Sequence, residues 1–385
     1  MKKKVIFVGL SGGVDSAVSA ALLKKATPNN FEKLFGRPTP KGFRGYEVVG
    51  VFIKTWHPNF LACNEEEERR DAMRVAASLD IPFLTFDLER VYKKEVADYM
   101  ISEYRAGRTP NPDVMCNREV KFGEFLKKAL SMGVDYVATG HYAKNNANNI
   151  FLSLPAKATS AFEKRYLLKS KDPTKDQSYF LWTLKQEQLS KIIFPVGGLK
   201  KTEVRKLAKK FKLPVSDKKD SQGICFLGEV DLKNFLKHYI KEKKGKVINE
   251  RGEVVGHHDG VVFYTLGERH GFTIAKKSPN DGPHYVVGKD VKKNILIVSQ
   301  NKNSDTSLFR SVYKTIETNW VSGLPKRDKK YTAQVRYHGE LLPCRVKVVN
   351  KSKAEIVFSK SVLVASGQSI VVYDKDICLG GGVVV

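Results

Sequence analysis

The sequence predicts an α/β N-terminal domain on a parallel sheet, followed by one or two small β-barrels or sandwiches. Three observations carry this expectation. Four apolar, β-branched runs, at residues 5–8, 48–53, 83–86 and 136–138, alternate with helix-like segments. The first run feeds straight into a Ser/Gly-rich turn and a second apolar stretch, as a strand–loop–helix unit does. After about residue 228 the helical spacing gives way to short β-rich runs separated by turn signals.

The elements follow in order. The opening run leads to Gly9-Leu10-Ser11-Gly12-Gly13-Val14-Asp15-Ser16 and then a helix from Ala17 to Leu23. Such a turn presents backbone N–H groups and the positive end of a helix dipole, which makes it a phosphate cradle. Gly12 and Gly13 let the backbone approach a phosphate, and Ser11 and Ser16 add hydroxyls. It is neither a Walker loop nor a dinucleotide fingerprint, because the required Gly-Lys-Ser/Thr and Gly-x-Gly-x-x-Gly are absent. Residues 27–46, rich in Pro, Gly and basic side chains, read as a surface insertion. Residues 65–79, 91–104, 186–193 and 202–211 carry helical spacing, and 231–239 form a basic helical patch. The β-rich runs lie at 246–249, 261–265, 284–287, 294–298, 331–337, 345–349, 355–358 and 369–373, with a polar boundary near 300–307.

Composition narrows the function. The 385 residues suggest two or three domains, and a hydrophobic content of 42% excludes wholesale disorder. No run of about 18 apolar residues occurs, and the basic start is followed by too short an apolar stretch for a signal peptide. The expectation is a cytoplasmic protein with no membrane segment. A net charge of +26, from 67 basic and 41 acidic residues, favours a polyanionic partner, although a general preference for lysine would give the same surplus.

Five cysteines, Cys63, Cys116, Cys225, Cys344 and Cys378, include no Cys-x-x-Cys pair, so neither a disulfide framework nor a metal-ligand set is expected. Cys116 follows Asn111-Pro112-Asp113, and the prolines predict a stiff loop ahead of a helix beginning near Val120. A helix N-terminus, with Arg118 and Lys121 close in sequence, would expose a thiolate there, and Asp113 could act as general acid or base. Cys225 lies in a polar loop beside Lys218 and Lys219. Taken singly, each of these two would more often be an ordinary buried cysteine. Cys63, Cys344 and Cys378 read as structural.

The Ser-Gly-Gly-x-Asp-Ser pattern resembles the PP-loop of ATP pyrophosphatases, and would arise by chance roughly once in a thousand chains. With it stand Ala-Gly-Arg-Thr-Pro-Asn-Pro-Asp-Val-Met-Cys-Asn at 106–117, Ala-Thr-Gly-His-Tyr-Ala at 138–143 and Lys-Asp-Gln-Ser-Tyr-Phe-Leu at 175–181. Asp-Ser-Gln-Gly-Ile-Cys-Phe at 220–226, Tyr-Thr-Leu-Gly-Glu-Arg-His-Gly at 264–271 and Cys-Leu-Gly-Gly-Gly at 378–382 complete the set. In this order the segments resemble the tRNA-specific 2-thiouridylases of the MnmA type along nearly the whole chain. The resemblance implies an adenine nucleotide α-hydrolase-like domain with helices on both faces of its sheet (1–228), a small central β domain (229–302) and a C-terminal, tRNA-contacting β-barrel (303–385).

It further implies that Gly9, Leu10, Ser11, Gly12, Gly13, Val14, Asp15 and Ser16 bind ATP with Mg²⁺, assisted by Ile53 and Gly140. Cys116 would be the nucleophile, Cys225 the persulfide carrier, and Asp113 their catalytic neighbour. Asn111, Pro112 and Asp113 would touch the target base, with His141, Lys175, Asp176, Gln177, Arg336, Tyr337 and Gln368 on the tRNA. A sulfur-carrier protein or cysteine desulfurase would load the persulfide onto a monomer. The insertion at 27–46, Ile53 in place of a common Met, Gln222 in place of Thr and the 271–275 segment depart from the family pattern. Two rival readings are a PP-loop synthetase acting on a small molecule, which needs no paired cysteines, and a non-catalytic tRNA-binding protein, against which the intact Ser11, Asp15, Asp113, Cys116 and Cys225 speak.

Overall fold

The computed structural model describes residues 3–35, 39, 43–61, 64–145, 164–220, 231–275, 282–300 and 310–385. The N-terminal sheet is parallel, with strands β1 (Lys4–Gly9), β2 (Tyr46–Lys54), β3 (Phe83–Asp87) and β4 (Tyr136–Ala138) where the apolar runs predict them. Between β4 and the last strand of this sheet lies a short pair, β5 (Ala143–Asn145) and β6 (Leu167–Lys169). The fifth strand, β7 (Ile192–Ile193), completes the order β3-β2-β1-β4-β7. Helix is therefore confined to Gln186–Leu189, and the expected helix over 186–193 is corrected at its end. Ile192 and Ile193 are fully buried against Val137 and Ala138, and a two-residue strand leaves no periodicity to read.

Alternate side chains of β1 serve the two faces. Ile6 and Val8 pack with the helix Val14–Lys25 and the helix Lys201–Lys210, whereas Phe7 packs with Phe86, Tyr92 and Phe125. Burial on both faces is what makes these strands continuous apolar runs. The insertion is more than surface: a short helix, Phe31–Phe35, buries Phe31 edge-on to Phe43 at 4.8 Å, with Leu34 and Phe43 packed against the same core. The strand order reverses between β1 and β4, which run parallel, so the loops after these two strands flank one crevice, the usual ligand position in an open α/β sheet.

The central sheet has strands β8 (Gly245–Ile248), β9 (Val254–His258), β10 (Thr273–Ile274), β11 (Tyr285–Asp290) and β12 (Ile295–Ser299). The expected strand at 261–265 is instead a 3₁₀ turn over Val261–Phe263. The Asn294 side chain accepts the Val261 N–H and Gly260 accepts that of Phe263, so no ladder is required. The last six strands, β13 (Arg310–Asn319), β14 (Tyr331–Gln334), β15 (Leu342–Asn350), β16 (Lys353–Val362), β17 (Ser369–Asp374) and β18 (Ile377–Val384), form an antiparallel barrel closed by pairing β13 with β18. Cys344 and Cys378 are buried in it, and burial raises both thiols, Cys344 to about 12.

The barrel is fused to the N-terminal domain. Strand β6 pairs with β18 through Leu168↔Ile377 and Leu167↔Cys378. Asn319 donates its side-chain amide to the carbonyls of Trp182 at 2.6 Å and Leu184 at 2.9 Å, both residues being buried. Replacing Asn319 by Ala strands these carbonyls, and stability should fall by about 1–3 kcal/mol. Thermal unfolding checks this; an unchanged midpoint would remove Asn319 from the docking account.

Candidate active site

The loop after β1 is held open by two glycines. Gly12 has φ +71°, and a Cβ there would lie 2.5 Å from the Glu68 carbonyl. Across the crevice, a Cβ on Gly140, just after β4, would lie 2.7 Å from the Ser16 amide nitrogen. Ser16 Oγ accepts from the Ser11 N–H at 3.2 Å and donates to the Gly13 carbonyl at 3.0 Å, which fixes the turn. The helix Val14–Lys25 starts from Gly13 with no side-chain cap, so its first N–H groups remain for an anion. Leu10 and Val14 are buried in the core, and Gly9 ends the strand. Glycine at 12 and 140 permits this close backbone packing, and the uncapped N–H groups of the helix start suit a polyphosphate. Ile53, at the end of β2, is 5% exposed and packs with Phe7 and Phe86.

A charged cluster borders the cradle. Asp15 accepts from the Tyr142 hydroxyl at 2.8 Å, and both its oxygens lie 2.8 Å from Lys201 Nζ. Burial, and next the Asp15 charge, raise the Tyr142 pKa and keep it a donor. Lys201 also reaches Asp220 at 2.8 Å, which Lys175 and Arg205 pair with as well. Burial opposes ionisation of Asp220, but the hydrogen bonds from Lys201 and Lys175 prevail and hold its carboxyl well below the usual range. Lys201 and Arg205 lie in no sequence motif, whereas Asp15, Lys175 and Asp220 each belong to one. Cys225, like Cys63, lies outside the described residues.

The helix bearing Cys116 begins earlier than the prolines suggested. Asn111 caps it, accepting from the Val114 N–H, and Pro112 occupies the first helical position, where its missing N–H costs nothing. The helix Pro112–Met115 runs on as a π-helix, Cys116–Glu124. The expected loop ending near Val120 is therefore a helix already in its second turn. Cys116 is fully buried among Met115, Val120 and Phe122, not presented at the surface. Asn117 donates to the Asp113 carbonyl at 2.9 Å, while its Oδ1 is buried with no hydrogen-bond partner among the described residues. A narrow gap, with room for about one water molecule, lies between this helix and the barrel, lined by Asn111, Met115, Arg118, Trp182, Glu317 and Ser369.

The other predicted residues mostly join segments. His141 is buried between Phe122 and Phe194, hydrogen-bonded to Thr139 at 2.8 Å, and burial lowers its pKa well below the usual value. Asp176 binds Ser170 and Ser178, and burial raises its pKa; Gln177 exchanges bonds with the Tyr142 backbone. Tyr337 packs on Phe180 at 4.3 Å; burial, then the charges of Asp176 and Asp113, push its hydroxyl up to about 12. Arg336 is exposed. Gln368 donates to the carbonyls of Thr109 and Pro110, and Arg118 pairs with Glu317 at 3.0 Å, so the barrel grips both flanks of the Asn111–Cys116 turn.

A parallel sheet carrying this loop at the mouth of its crevice defines an α/β protein of the PP-loop ATP pyrophosphatase class, in which ATP use is implied. Comparison with known proteins is specific. Residues 42–229 match the tRNA methyl transferase HUP domain, 233–300 the tRNA methyl transferase PRC-barrel domain, and 310–384 the aminomethyltransferase beta-barrel domain. The tRNA-specific 2-thiouridylase MnmA of Geobacillus thermodenitrificans is 41% identical over 383 residues, covering 98% of this chain and 94% of that one. That of Listeria monocytogenes serotype 4b is likewise 41% identical with the same coverage, and that of Nitrosomonas europaea is 40% identical over 100% of this chain and 99% of its own. The chain belongs to the MnmA family of tRNA-specific 2-thiouridylases, which are tRNA-uridine 2-sulfurtransferases.

The Asp220 cluster has a pH signature. A depressed carboxyl contributes stability above its unfolded pKa of about 3.9 and loses it as pH falls towards the folded value. The stability gap between the wild type and Asp220→Asn should be widest above about pH 4 and shrink below it, read from denaturant melts across the acid range. A gap independent of pH would contradict the ion pairing.

Proposed function

We propose that the chain replaces the C2 oxygen of the wobble uridine, position 34 of tRNA, by sulfur at the expense of ATP. The observation that carries this reading is about 41% identity along 98% of the chain to a tRNA-specific 2-thiouridylase, with every motif that bears chemistry intact. The uncapped start of the helix Val14–Lys25, directly after the Ser11–Gly13 turn, supports nucleotide binding.

The chemistry follows from the leaving group. A carbonyl oxygen departs poorly; adenylated by ATP, with pyrophosphate released, it departs as AMP. The loop N–H groups and nearby cations would hold the phosphates by electrostatics, and a Mg²⁺ arriving with the nucleotide would disperse their charge. The persulfide on Cys225 then either attacks C2 directly or gives up its outer sulfur as sulfide when Cys116 attacks. In both routes the two cysteines finish as a disulfide that an external reductant reopens, so their Cα atoms must come within about 6 Å. Cys116 is buried in this conformation, so the helix that carries it must open to a base extruded from the anticodon stack. The gap bordered by Asn111 and Ser369 is the entry we assign to that base, and it must widen with the same opening to admit it.

The reading extends to the domains, with catalysis in 1–228, a small β domain at 229–302 and a tRNA-contacting barrel at 303–385. A sulfur-carrier protein or cysteine desulfurase would load Cys225 on a cytoplasmic monomer. Among the described residues no helix is long and apolar enough to cross a membrane.

Cys116→Ser and Cys225→Ser should each abolish 2-thiouridine formation while leaving tRNA binding nearly unchanged; nucleoside mass spectrometry and a filter-binding assay read the two arms. Wild-type thiolation by either variant sinks the two-cysteine scheme. For about six phosphate contacts, tRNA affinity should drop about a thousandfold between 50 and 200 mM salt. A flat response would place the positive charge away from the RNA.

A further inference from the structure

Lys201 stands out among the many lysines of this surface. Its side chain is 14% exposed and its ammonium bridges two carboxylates from distant parts of the chain, Asp15 in the phosphate loop and Asp220. Asp220 in turn pairs with Lys175 at 2.9 Å and with Arg205. Three cations thus share two carboxylates at the edge of a cradle whose helix end itself favours negative charge. The two carboxylates are held differently. Asp15 belongs to the loop and is fixed from its other side by the Tyr142 hydroxyl. Asp220 has ion pairs with Lys201, Lys175 and Arg205, and its side chain is 26% exposed, open to exchange with solvent anions. Carboxylate and phosphate oxygens are interchangeable partners for ammonium and guanidinium groups, and a polyphosphate brings more charge.

We infer that Lys201, Lys175 and Arg205 form the polyphosphate-holding cations of the nucleotide site, and that the Asp220 carboxylate is the internal anion that the phosphates displace. This rests on the ATP reading above and deepens it. It also gives Lys175, expected from the family to face tRNA, a role at the nucleotide.

Calorimetric titration of the full-length protein with ATP, inorganic pyrophosphate and AMP, without tRNA, tests it. Lys201→Gln should weaken ATP and pyrophosphate about tenfold or more while changing AMP far less, since AMP lacks the outer phosphates. Asp220→Asn should tighten ATP and pyrophosphate severalfold even though it lowers stability, a divergence that a purely structural role would not produce. If Lys201→Gln fails to fold, as judged by circular dichroism, Arg205→Gln reports on the same cluster with the same expected ordering of ligands. Unchanged or weaker ATP binding by Asp220→Asn, or equal losses for ATP and AMP in the cation variant, overturns the inference. A wild-type chain that binds neither ATP nor pyrophosphate overturns the functional reading instead.

Discussion

The structure depends on one close approach, that of the backbone after β4 to the first turn of the helix after β1. Gly140 lies so near the Ser16 amide that even a methyl group cannot enter. The approach is set by the parallel pairing of β1 with β4, which places both loops at the same edge of the sheet. It brings Tyr142 onto Asp15, and with it the whole 139–142 turn becomes one wall of the crevice. From that wall radiate the contacts of Gln177 with Tyr142 and of Lys175 with Asp220. A short steric constraint between two strands thereby organises residues from four separate stretches of sequence.

The barrel is a second organiser. It touches the cysteine helix on both flanks, through Gln368 to Thr109 and Pro110, and through Glu317 to Arg118. Glu317 adopts φ +51° inside a strand, an uncommon conformation for a residue with a side chain, at an irregularity in the pairing of β13 with β18. The barrel therefore shapes the gap in front of Asn111 as well as offering a surface to a large ligand.

Much of this was legible in the sequence, for physical reasons that differ by element. The parallel strands declared themselves because burial on both faces demands unbroken apolar runs, as in residues 5–8. Strand β18 did not, because its Gly380-Gly381-Gly382 core reads as loop, although Cβ atoms there would strike neighbouring strands at under 3 Å. The prolines before Cys116 predict a break in helix, whereas Pro112 stands at the first position of one. The strand–turn–helix unit at 5–25 was legible because its signals are contiguous in sequence. Lys201 was not: its partner Asp15 lies 186 positions away, and a lysine at the start of a charged amphipathic helix looks like any solvated one.

One structural feature bears on how the molecule can be divided. Because β6, from within the N-terminal half, is hydrogen-bonded along β18 of the barrel, the two parts share a continuous ladder. A truncated protein lacking the barrel would present the bared edge of β6 to solvent, with Leu167 and its neighbours stripped of cover. Such a fragment exposes a strand edge open to self-association, so the α/β portion is poorly suited to isolation.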